Sequence, residues 1–184
     1  MLFELLNRKV WISAYHGSAD PAQLSGVQAQ FPNLTVQLFD LDRIAGSRYM
    51  LLATFNAVKS YESKRQISRS LGMEILLFIS GTRQISEAIK RVGITSKTTR
   101  TAVLGVIPRN TDHLKLAVFL AEMFREKDDD SLLDKWTNLR RTRVVRTFGI
   151  GDKELKAVSR DGEVAEKAIE RLAIERSAML AIAK

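Results

Sequence analysis

Three short runs of this chain are dense in β-branched and aromatic residues, and each is bounded by a breaker. Residues 9–16 carry Val10, Trp11, Ile12 and Tyr15 and stop at Gly17. Residues 34–40 follow Pro32 and Asn33 and carry Thr35, Val36 and Phe39. Residues 101–107 stop at Pro108. Such side chains suit a pleated, half-buried surface, so each run reads as a strand. The rest of the chain is spaced for helices, and the protein mixes both elements.

The helical segments carry their own punctuation. Asp20 as N-cap and Pro21 at the first position open one helix. Residues 47–62 read as another, with Leu51, Phe55 and Val58 on one face. The apolar run 73–79 suits a buried strand or a buried helix. Ile67, Leu71, Ile75 and Phe78 keep helical spacing, so a helix over about 68–79 is expected, with Gly72 as its weak point. Gly81 breaks the chain, and Thr82 can cap a helix running to Val92. There Ile85, Ala88, Ile89 and Val92 form one face, and Glu87 pairs with Arg91 at i,i+4. Gly93 is expected to close that helix in a left-handed turn, with Ile94 folding back, and Gly149 with Ile150 repeats the device. Leu114, Ala117, Val118, Ala121 and Phe124 make a further stripe. A last helix starts near Glu163, with Ala165, Ala168, Ile169, Leu172, Met179 and Leu180 as its stripe.

Composition narrows the function classes. With 184 residues, the size points to one domain that needs no staples. The absence of Cys excludes disulfides, thiolate nucleophiles and Cys-based zinc sites, and two histidines argue against a His-rich metal centre. Lys and Arg number 29 against 21 Asp and Glu, a net charge of +8 that favours polyanionic partners. No apolar stretch approaches the roughly 18 residues of a membrane span, and the N-terminus does not read as a signal peptide. Cys-free composition and basic charge fit a cytoplasmic protein.

No phosphate-cradling, metalloprotease or nucleophile-elbow motif occurs. His16 ends a strand, where it serves either as a general base or as a histidine at the core edge. Asp40 and Asp42 follow a strand, as an acid/base pair or as charges at the start of the next helix. Neither pattern argues for an enzyme acting alone. Two basic groups stand out: Lys59, Lys64, Arg65 and Arg69, with Arg83 on a nearby turn; and Arg140, Arg141, Arg143 and Arg146, which a helix would spread over several faces. Asp128, Asp129 and Asp130 read as a solvated loop.

Three stretches together carry more information. They are Asn56-Ala57-Val58-Lys59, Ile67-Ser68-Arg69-Ser70-Leu71-Gly72-Met73-Glu74-Ile75-Leu76-Leu77, and Ser80-Gly81-Thr82-Arg83-Gln84-Ile85 leading to Glu87-Ala88-Ile89 and Gly93-Ile94. In order and spacing they resemble the small kinase-binding subunit of the KEOPS complex, the family of the human PRPK-binding protein, in its archaeal type. Residues 56–94 carry the resemblance most strongly. Compatible patterns reach Ile107 and the final helix near Glu175-Arg176-Ser177-Ala178-Met179-Leu180.

The resemblance implies an α+β fold: a single domain over residues 1–184, with a small, mainly antiparallel sheet packed with several helices. It implies a non-catalytic regulatory subunit without cofactor, metal or membrane association. Such a subunit works in threonylcarbamoyladenosine synthesis on tRNA. It docks directly on an atypical kinase-like ATPase, meets the transferase subunit indirectly, and recruits tRNA through the 3′ CCA end. On this basis Lys59, Lys64, Arg65, Arg69 and Arg83 are the expected RNA-binding residues. Tyr61 is either a stacking face or part of the core. Ile85 and Ile89 are expected to bind the kinase, with ordinary core packing as the competing role. The alternatives are a stand-alone basic RNA-binding domain without a kinase partner, and a small enzyme using His16.

Overall fold

A computed structural model describes residues 1–19 and 21–182, with the side chains of residues 21–24 left out of the description. Asp20, the expected N-cap, lies outside the described residues. The fold class is α+β, as expected, and the sheet is antiparallel throughout. The chain groups into two compact units, Met1–Leu41 with Gly93–Lys135, and Asp42–Val92 with Trp136–Lys184.

The first unit holds the sheet. Its strands are β1 (Leu2–Leu5), β2 (Arg8–His16), β3 (Thr35–Asp40) and β4 (Arg100–Pro108), in the order β1-β2-β4-β3. β2 pairs with β4 along its whole length, from Arg8 opposite Pro108 to His16 opposite Arg100. Trp11, Tyr15, Val36, Leu38, Val103 and Ile107 point to one face and pack with Val27 of α1 (Pro21–Gln30) and with Leu116 and Leu120 of α5 (Leu114–Phe124). Tyr15 stacks on Phe124 with ring centroids 4.4 Å apart. A Cβ on Gly105 would stand 3.3 Å from Leu116 Cδ2, so the bare backbone lets α5 sit close on the sheet.

α5 turns a different side inward than its spacing suggests. Leu116 and Leu120 are buried, whereas Leu114 and Val118 are exposed. Apolar residues ring this helix almost completely, so periodicity alone does not choose the buried face. Gly93 also departs from expectation. It lacks positive φ, and it forms an isolated antiparallel bridge with Phe39 in place of a left-handed cap.

The second unit is helical. It contains α2 (Ser47–Glu62), α3 (Leu71–Ser80), α4 (Ile85–Val92), α6 (Asn138–Phe148), α7 (Asp152–Val158) and α8 (Ala165–Ile182). α3 is its axis: α2, α4 and α8 all pack on it, and Glu74 through Ser80 are buried without a break. Its start is fixed by Ser70, whose hydroxyl accepts from Met73 N–H at 3.3 Å. Its end is fixed by Gly81 in the left-handed region at φ 66°, a conformation that glycine adopts without Cβ strain. Tyr49 of α2 donates its hydroxyl to the Ile79 carbonyl, and complete burial pushes the phenol well above its ordinary value. The helix is shorter than expected at its start because residues 67–70 do another job. The buried Glu74 carboxylate reaches back and accepts from Ile67 N–H and Ser68 N–H, each at 2.9 Å. On α8, Ala168, Ile169, Leu172 and Leu180 are buried as expected, while Met179 is exposed.

Candidate functional site

α4 has two unlike apolar edges. Ala88 and Val92 are buried, whereas Ile85 is 43% exposed and Ile89 50% exposed. The helix begins three residues after Thr82, whose hydroxyl accepts from Gln84 N–H at 3.4 Å. Glu87 accepts from Arg91 Nε at 3.0 Å along the flank. Ile85 and Ile89 lie one turn apart, so their side chains form a continuous apolar strip facing outward. Core packing covers about half of each side chain and leaves the rest to solvent.

The cations gather at one end of the α2–α3 pair, with one exception. Lys59 stands in the last turn of α2, its Nζ 5.9 Å from the Phe55 ring. The helix stops at Ser63, whose hydroxyl donates to the Lys59 carbonyl at 2.7 Å. Lys64 then takes a left-handed turn at φ 57°, and Arg65 N–H returns to the Ser60 carbonyl at 3.0 Å. Arg69 lies just before α3, with the Tyr61 hydroxyl 3.5 Å from its carbonyl. Lys59, Lys64, Arg65 and Arg69 are all exposed. Arg83 is exposed as well, but it follows the far end of α3. That helix has ten residues, which separates Arg83 from the other four by about 15 Å. Tyr61 is half-buried.

The second basic run divides by role. Arg140 is fully buried, donates from Nε to the Ile44 carbonyl at 3.0 Å, and lies 5.1 Å from the Trp136 ring. Arg141 pairs with Glu166, and Arg143 with Asp42. Arg146 is exposed. Asp40 and Asp42 stand at the start of the short 3-10 helix Leu41–Arg43, as read from the sequence, and both are buried. His16 is exposed, and its backbone N–H donates to the Glu126 carboxylate. Among the described residues, no group of three or more His, Asp or Glu side chains is placed to hold a metal ion. No helix there is long and apolar enough to cross a membrane.

Sequence reasoning missed Glu74, which clamps the loop bearing Arg69. The signal was present in Ser68-Arg69-Ser70 followed by an acid, but helical spacing through Ile67 and Leu71 masked it.

α4 thus presents an outward apolar strip, and the connection between α2 and α3 an exposed basic loop. The chain belongs to the family described as Kinase binding protein CGI-121, which matches residues 20–180. It is also similar to the Regulatory protein Cgi121 of Methanocaldococcus jannaschii, with 27% identity over 141 residues that cover 77% of this chain and 83% of the relative. The family expected from residues 56–94 is thereby established.

Proposed function

We propose that this chain is the regulatory subunit of a KEOPS-type assembly that makes threonylcarbamoyladenosine on tRNA in the cytoplasm. It catalyses no step and needs no cofactor. It docks directly on the kinase-like ATPase, reaches the transferase subunit only through that partner, and recruits tRNA by the 3′ CCA end. The observation that carries this reading is the exposed Ile85–Ile89 strip on a helix whose other apolar edge is buried. Exposed apolar side chains on a rigid helix cost solvation in the free protein and gain it back when a partner covers them. The name of the family supports a kinase as that partner.

Recruitment of tRNA falls to Lys59, Lys64, Arg65 and Arg69, exposed together at one end of α3, with Arg83 as a more distant contact. A single-stranded tail needs cations along its phosphates, and Tyr61 beside Arg69 supplies an aromatic edge.

Two experiments test the reading. Ile85→Asp with Ile89→Asp should abolish a one-to-one complex with the kinase-like ATPase in size-exclusion chromatography while the thermal midpoint stays unchanged. A complex that survives both substitutions rejects α4 as the docking surface. Binding should also weaken when tRNA lacks its CCA tail. Equal affinity with and without the tail leaves only general polyanion attraction.

A further inference from the structure

Beyond kinase and tRNA binding, the helical unit contains a cavity of about 590 Å³ with a strong excess of positive charge. It opens between the C-terminal ends of α4 and α6. Arg43, Lys90, Arg91, Arg143 and Arg146 line it, against the single carboxylate of Glu87.

Three of these cations are held in place by the fold. Arg43 donates from Nη1 to the Lys90 carbonyl at 2.7 Å and to the Arg91 carbonyl at 3.1 Å. Arg91 is braced on Glu87, and Arg143 on the buried Asp42 carboxylate. Their charge therefore stands in position before a ligand arrives, which removes an ordering cost from binding. Arg43 also covers the carbonyl end of α4, whose partial negative charge would otherwise oppose an anion. Lys90 and Arg146 make no ion pair among the described residues.

Crowded like charges repel one another, and a compact anion offsets that repulsion. A nucleic-acid strand spreads its phosphates one per nucleotide, so few reach a pocket of this size. A di- or triphosphate concentrates several charges in the same space. The walls offer oxyanion donors and no open aromatic face among the described residues, because Phe148 is buried edge-on against Tyr49 with ring centroids 5.4 Å apart. We propose that this cavity binds the di- or triphosphate group of a small ligand, inorganic or nucleoside-linked, with Lys90 and Arg146 as the cations that close on it.

Calorimetric titration of the full chain at moderate salt tests this, with pyrophosphate, tripolyphosphate, ATP, AMP and sulfate as probes. Tripolyphosphate should bind at least about tenfold tighter than sulfate or AMP, since charge-assisted contacts accumulate with each phosphate. Lys90→Ala with Arg146→Ala should weaken it by about tenfold or more, with an unchanged thermal midpoint. Lys59→Ala with Lys64→Ala, outside the cavity, should leave it unaltered. ATP binding no tighter than tripolyphosphate assigns the site to the phosphate chain alone, and ATP binding at least about tenfold tighter assigns it to a nucleotide. The proposal is overturned if tripolyphosphate binds no better than sulfate, or if the Lys90 and Arg146 substitutions change nothing. A single-stranded RNA ending in CCA that occupies the cavity while tripolyphosphate fails to compete also overturns it.

Discussion

Arg143 donates from Nη1 to Oδ2 of Asp42 at 3.2 Å, and the carboxylate it meets is 1% exposed. The residues are 101 positions apart in sequence, so the pair ties α6 to the start of the helical unit. Removing the guanidinium leaves a carboxylate shielded from water with one charged partner fewer. Arg143→Ala should therefore cost about 1–3 kcal/mol in urea unfolding. Arg146→Ala, three residues along the same helix, should stay within about 0.5 kcal/mol. Equal effects of the two substitutions would show that the buried pair contributes nothing specific.

Glu74 accepts the two backbone donors of Ile67 and Ser68, and its side chain is fully buried. Glu74→Ala orphans both amides, that of Ser68 buried and that of Ile67 partly buried, at about 2–4 kcal/mol in total. Glu74→Gln keeps an acceptor oxygen and should recover part of that loss. Hydrogen exchange at Ile67 and Ser68 should accelerate in Glu74→Ala well beyond the change in global stability. Uniform acceleration across the chain would mean that Glu74 acts only through the core.

Where local chemistry decides a feature, the sequence displays it. α2 occupies residues 47–62 as read from spacing, and the left-handed cap at Gly149 returns Ile150 N–H to the Val145 carbonyl at 3.0 Å. β2 is buried continuously from Val10 to Tyr15, so its run of apolar residues was visible even without alternation. Features set by distant partners stayed hidden. Gly93 has the composition of a helix cap, yet pairing with Phe39 settles its backbone. α5 has too wide an apolar surface for its own pattern to choose Leu116 and Leu120. β1, four residues long, carries no signal apart from its pairing with β2. The candidate site divides in the same way. The types of residue were readable, whereas the distance of Arg83 from the Lys59–Arg69 group depends on where α3 begins and ends.

That separation predicts unequal effects on tRNA binding. Four phosphate contacts to a single strand give a log-log salt slope of about −3. Reversing Arg65 and Arg69 to Glu removes two contacts within one group and should flatten the slope to about −1.5. Arg83→Glu alone should change it by less than 1, through one contact at most. A larger effect from Arg83 than from the double reversal would relocate the RNA path to the other end of α3.

Acid should unfold the protein partly through the ties around α7 and α8. Glu163 is held below its ordinary value of 4.5 chiefly by hydrogen bonds from Arg171, which also donates to the Val158 carbonyl at 2.6 Å. Arg141 does the same for Glu166. For Glu154 the Gly151 backbone N–H has the larger effect, followed by Arg176. A carboxyl whose folded value lies below its unfolded value binds fewer protons in the native state. Its contribution is complete above about pH 4.5 and is lost as the pH falls through the folded value. The urea midpoint should therefore be level in this respect near neutrality and decline below about pH 4.5. A variant with Gln at Glu154, Glu163 and Glu166 should start lower at pH 7 and decline less steeply in acid, so that the two curves converge. Because these pairs are only partly buried, salt should shrink the difference between them. Curves that stay parallel down to pH 3 would assign the acid transition to other carboxylates.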